Sequence, residues 1–154
     1  MDDPATMMRR LREQALRVTA PDLDVIPTEQ RPRVWGAIME LGYPTGIATL
    51  MTLAEGTTSL YFSNGGGVIG AGEHGEVRHA AEAFLDVVEA HLPHFPPVDA
   101  TPTPRIGRVR LYVKTFDGTL GVEATEEELS GAHPLSSVYR AGHAVITAIR
   151  AQDE

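Results

Sequence analysis

The segment Gly70-Ala71-Gly72-Glu73-His74-Gly75 has the spacing G-x-G-x-x-G, in which glycines let the backbone approach a pyrophosphate at the N-terminus of a following helix. Three features argue against that chemistry. Only the short Val68-Ile69 run could be the preceding strand, Glu73 and Glu76 place negative charge where phosphate would sit, and no parallel strand follows in a β-α-β unit. With the preceding run Asn64-Gly65-Gly66-Gly67, the residues Asn64, Gly65, Gly66, Gly67, Gly70, Gly72 and His74 still make one candidate backbone-lined ligand loop, with His74 as its acid–base group. A mobile glycine loop is the plainer reading.

His91-x-x-His94 is the close pair among six histidines. Two ligands without a third at a recognisable spacing do not make a zinc or iron site, so packing and the dipole at a helix C-terminus account for them better. The absence of cysteine excludes a disulfide framework, Cys-ligated metal and a cysteine nucleophile. No nucleophile elbow and no phosphate-binding lysine loop occur, and no cofactor is expected. Glu82, Asp86 and Glu89 recur at helical spacing, but paired carboxylates work as acid and base only where an environment splits their pKa values, and a solvated helix face is expected.

Arg108, Arg110, Tyr112 and Lys114 alternate with Val109, Leu111 and Val113. That period of two predicts a strand with one buried and one wet face, the wet one paired with Glu123 or offered as a basic-aromatic surface to a partner. It is the predicted partner interface of a chain otherwise acidic.

These residues sit in 154 residues with a net charge of −8, 42% hydrophobic and 22% charged, which describes one soluble domain large enough to bury a core. The charge disfavours nucleic acid and anionic membranes. The N-terminal residues lack the pattern of a signal peptide, and no window approaches the roughly 18 apolar residues of a membrane span. A cytoplasmic location is the expectation.

Residues 6–18 carry Met7, Met8, Leu11, Ala15 and Val18 at helical spacing, started by Asp3-Pro4. Residues 1–27 read as this helix and a linker, and 28–154 as a single domain. A second helix is predicted from Thr28 as N-cap through Val34, Trp35, Ile38, Met39 and Leu41 to Gly42. Ile47–Ala54 and Thr57–Ser63 form a hairpin about Glu55-Gly56, with Val68-Ile69 as a possible third, edge strand. A helix follows from about Glu76 to Leu92, then a proline-rich crossover from Pro93 to Pro104. A second hairpin turns at Asp117-Gly118, Thr125–Glu128 reads as a capping box, and a last helix runs from about Pro134 to Ala151. The fold class is α+β: an antiparallel sheet of four to five strands built from two hairpins and flanked by helices.

That element order over residues 28–150, with the turns Glu55-Gly56 and Asp117-Gly118, resembles two groups. Helix, two strands, helix, strands, helix is similar to the roadblock (dynein light chain-like) and profilin-like group, which implies homodimeric regulators or scaffolds. With a true third strand at Val68-Ile69 it is similar to secretion-type chaperones, which implies small acidic dimers that bind polypeptides. The expected function is therefore a non-catalytic, homodimeric protein-interaction module. The alternative is a small-molecule- or nucleotide-binding protein, or a small enzyme, using residues 64–75.

Overall fold

The computed structural model describes residues 3–68 and 70–152. Helix α1 (Pro4–Arg17) opens as predicted: Asp3 accepts a hydrogen bond from the Thr6 amide at 2.7 Å, and Pro4 occupies the first turn, where a missing N–H costs nothing. A single six-stranded antiparallel sheet follows, formed by β1 (Val34–Tyr43), β2 (Gly46–Leu53), β3 (Thr58–Phe62), β4 (Gly67–Val68), β5 (Arg108–Thr115) and β6 (Gly118–Thr125). Their spatial order is β4-β3-β2-β1-β5-β6. Helices α2 (Gly75–Ala90) and α4 (Ser136–Ala151) pack side by side on one face, and the five-residue α3 (Glu126–Ser130) carries the predicted capping box at Thr125. The fold is α+β as expected, with one strand more than predicted.

The additional strand corrects the second predicted helix, because residues 34–43 form β1, the centre of the sheet, paired with β2 on one side and β5 on the other. Its spacing suits either period, since nine of its ten residues are buried and a strand covered on both faces shows no alternation. Thr28 does cap a turn, its hydroxyl accepting from the Arg31 amide at 2.9 Å, but only that single turn forms. A bulge at Trp35, where the register with β5 shifts, places Trp35 on the same face as Ile38 and Glu40. The predicted edge strand exists at Gly67–Val68 and pairs with β3; Ile69 lies outside the described residues.

Two cores result. Ala37, Met39 and Leu41 of β1, Leu50 of β2, Leu60 of β3 and Leu111 of β5 meet Phe84, Leu85 and Val88 of α2 and Val138, Val145 and Ile149 of α4. The opposite face, with Trp35, Ile38, Met51, Leu53, Tyr61 and Tyr112, is covered by α1 and the crossover. That crossover passes around the β6 edge: Phe95 belongs to the first core and Val98 to the second. On the way Pro96 accepts from the Gly121 amide at 2.9 Å and Val98 donates to Thr119 at 3.1 Å. A prolyl segment thereby blunts an edge strand that would otherwise offer unpaired backbone groups.

The acidic row of α2 corrects a further expectation, since it is partnered rather than simply solvated. Asp86 binds Arg31 and Gln30, each at 2.8 Å, and Glu89 accepts from the amides of Arg33 and Val34 at 2.9 and 3.0 Å. These carboxylates hold the entry into β1.

Candidate functional site

On the α1-covered face the chain does what apolar packing alone would not. Glu40, fully buried at the middle of the central strand, meets Arg12 of α1 side-on: Nε and Nη2 each donate to one carboxylate oxygen at 2.7 Å. The Thr49 hydroxyl, directly across on β2, donates to the same carboxylate at 2.6 Å, and Arg12 Nη2 also reaches the Thr101 carbonyl of the crossover at 2.7 Å. A buried carboxylate is tolerable only with such partners, so Glu40 fixes where α1 and the crossover lie. The α1 spacing shows why Arg12 points inward, because Met8, Leu11, Arg12 and Ala15 form one stripe at i, i+3, i+4 and i+7.

The predicted basic face lies here too, and its wetness is corrected. Tyr112 and Lys114 are only 2% and 3% exposed, and Arg108 and Arg110 are half-buried. Arg108 and Arg110 both pair with Glu123, as the pairing across β5 and β6 requires, the latter at 2.6 Å. Tyr112 donates to the Pro102 carbonyl at 2.6 Å. Lys114, the chain's single lysine, donates to the Leu16 carbonyl in the last turn of α1 at 2.6 Å and lies 5.1 Å from the centre of the Trp35 ring. Burial pulls its ammonium down to about 8. These long side chains lay their stems along the sheet and spend their charges on tying down α1 or β6.

Three clefts flank α1. One of about 390 Å³ separates its N-terminal half from β2 and β3, one of about 240 Å³ lies between Leu11, Ala15 and Val18 and the sheet at Met51 and Leu53, and one of about 300 Å³ opens at Trp35 and Lys114. Tyr61 walls the first two and is 3% exposed, with burial pushing its phenol up to about 12.

The glycine-rich candidates fall elsewhere and serve the backbone. Asn64, Gly65 and Gly66 form the turn into β4, where a Cβ on Gly65 would come within 2.5 Å of Pro4 of α1, and Gly67 packs on the β3 backbone. A Cβ on Gly72 would sit 2.0 Å from the Gly56 carbonyl oxygen, and Gly70 takes a left-handed φ of 75° at the start of a short 3₁₀ turn. The sheet is antiparallel throughout, so the parallel unit that gives a G-x-G-x-x-G loop its phosphate geometry is not formed here. His74 is exposed and precedes α2 without capping it through its side chain. Gly72→Ala is expected to cost about 2 kcal/mol through overpacking, while Gly75→Ala, which meets nothing, is expected to be neutral or slightly stabilising; urea unfolding of the two variants checks this.

His91 and His94 do not converge on a metal. Their rings are 6.4 Å apart, and His91 is engaged on both nitrogens, Nδ1 with the Val87 carbonyl at 2.7 Å and Nε2 with the Ser137 hydroxyl at 3.1 Å, linking α2 to α4. Among the described residues no group of three or more potential ligands is suited to a metal ion. His143 is half-buried against Tyr139, 4.5 Å away edge-on, and burial lowers its pKa.

Glu40, Arg12, Thr49, Tyr61 and Trp35 were thus not among the sequence-predicted sites. The available signal was a lone carboxylate in the apolar run 34–42 and a lone arginine in the apolar stripe of α1.

The class these features define is an antiparallel sheet whose helices α2 and α4 cover one face and whose other face is strapped by an N-terminal helix through a buried ion pair. No family model, curated protein or solved structure matches the chain. Among the described residues no helix is long and apolar enough to cross a membrane.

Proposed function

We propose that this protein is a non-catalytic, cytoplasmic, homodimeric interaction module that recognises another polypeptide. The observation that carries the reading is that one sheet face already receives an amphipathic helix: α1 is joined to the sheet by residues 18–33, which contain a single 3₁₀ turn, and it docks by an apolar stripe and one arginine on Glu40. This is helix-in-groove recognition performed in cis. Charge supports it, because α1 holds four arginines against one glutamate and the remainder of the chain is therefore more acidic than the net −8. From residue 28 onward the order is strands β1 to β4, helix, hairpin and two helices, so the helix that opened both resemblances is replaced by strand β1, and the reading is carried by the docking of α1 instead.

The test uses the full chain carrying Leu11→Asp to loosen α1. Light scattering on gel filtration is expected to give twice the 16.6 kDa chain mass for the native protein. The variant is expected to take up a fluorescein-labelled peptide of residues 3–18, which the native protein takes up weakly. A strictly monomeric protein whose loosened variant binds no peptide would overturn the reading.

A further inference from the structure

The 390 Å³ cleft between the N-terminal half of α1 and strands β2 and β3 is lined by two residues with a hydrogen-bond donor that the protein uses weakly or not at all. The Tyr61 hydroxyl, on a residue 97% buried, reaches only the Met51 sulfur at 3.8 Å among the described residues. A thioether is a weak acceptor, and a buried phenol ordinarily finds an oxygen or nitrogen. Arg12 commits Nε and Nη2 to Glu40 and Thr101, which leaves Nη1 without a protein hydrogen bond among the described residues. Arg9 stands at the rim one helical turn before Glu13, and the Ser63 hydroxyl, which accepts from the Ile47 amide at 2.8 Å, keeps its own proton to donate. Met8 and Ile47 supply apolar wall.

We infer that this cleft is a binding site for a compact monocarboxylate with an apolar body, its carboxylate received by Arg12 Nη1 and the Tyr61 hydroxyl and its body seated against Met8 and Ile47. The volume lies at the lower end of small-molecule sites, which suits an aryl or branched acid of modest size. A monoanion fits better than a phosphate, because Glu13 at the rim and Glu40 behind Arg12 oppose a second negative charge. Tyr61 stays a donor at every physiological pH, since burial raises its phenol rather than ionising it. The site is independent of polypeptide capture, although its ligand would bridge α1 to the sheet and so oppose release of the helix.

The carboxylate could belong to a free acid or to a chain terminus, and the assay separates them. The native full-length protein is titrated calorimetrically with 3-phenylpropanoate, with its primary amide, and with acetyl-alanyl-phenylalanine. The free acid is expected to bind with a Kd on the order of 0.1–1 mM and the amide at least tenfold more weakly. Tighter binding of the acetyl dipeptide than of the free acid assigns the carboxylate to a chain terminus within the same inference. Tyr61→Phe, which removes one oxygen and keeps the ring, is expected to weaken the acid about tenfold with an unchanged thermal midpoint in the absence of ligand, and the exposed Arg9→Ala severalfold. No heat at 10 mM acid on the order of ten times the expected Kd, equal affinity for the amide, or an unaltered Kd in Tyr61→Phe would each overturn it.

Discussion

Arg12→Ala is expected to destabilise the native protein by about 3 kcal/mol, the lower end of what removing one partner of a buried ion pair costs. Glu40 would keep the Thr49 hydroxyl but lose both of its charge-assisted contacts, the Thr101 carbonyl would lose a third, and nothing else buried on that face of β2 or β3 is cationic. Two features hold the loss near the lower end. Arg110 stands directly opposite Glu40 on β5 with a buried Nε that has no hydrogen-bond partner, so it can swing toward the orphaned carboxylate. Detachment of α1 would also let water reach Glu40, capping the cost at the docking free energy of the helix. Urea denaturation followed by the single Trp35, which sits beneath α1, measures the loss. Amide exchange should show α1 and residues 101–107 opening before the α2–α4 core. The double variant Arg12→Met, Glu40→Gln is expected to recover most of the stability, because it is the unpaired charge that is costly. A single variant as stable as the native protein, with α1 still protected, would show that the pair does not hold the helix.

Native stability is expected to rise by about 2 kcal/mol between pH 8 and 10, the reverse of what a salt-bridged lysine would give. Lys114 titrates near 8 when folded and near its ordinary 10.5 when unfolded. Below pH 8 both states are protonated and the cost of burying the ammonium is fully present. Between 8 and 10.5 the unfolded chain binds the extra proton, so raising the pH favours the native state. Above about 10 the trend should turn over, since the unfolded chain's tyrosines ionise there while burial holds Tyr61 up to about 12. Lys114→Met is expected to be flat over pH 8–10 and no less stable than the native protein at pH 7, with the Leu16 carbonyl left to water in the adjoining cleft. Chemical denaturation across that pH range checks both curves, and a native curve that stays flat would mean the amine is more solvated than its 3% exposure implies.

Most element boundaries were legible because local chemistry states them. Asp3-Pro4 starts α1, and Glu55-Gly56 and Asp117-Gly118 turn the hairpins with glycines at φ of 116° and 134°. Thr125 to Glu128 closes the capping box. Residues 34–43 were illegible for the opposite reason. A strand buried on both faces has no polar side to reveal its period, so Val34, Trp35, Ile38, Met39 and Leu41 satisfy a helical stripe, and Thr28 offers a cap that the chain uses for one turn only.

The site was less legible than the fold. Alternation in β5 reveals which residues share a face, yet whether that face is wet depends on what crosses it, and here Tyr112 and Lys114 lie beneath α1 and the crossover. Glu40 and Arg12 are 28 residues apart, and each looks like an ordinary polar interruption until the other is placed against it. Local chemistry was enough to place α1, α2, the capping box and α4, the two hairpins about Glu55-Gly56 and Asp117-Gly118 and the antiparallel class, because propensity, capping and period act within a few residues. Only the tertiary structure decided that a strand rather than a helix occupies the centre, that the basic strand face is covered, and that a buried carboxylate positions α1. Burial is a property of what packs on a residue from elsewhere in the chain, and no local pattern records it.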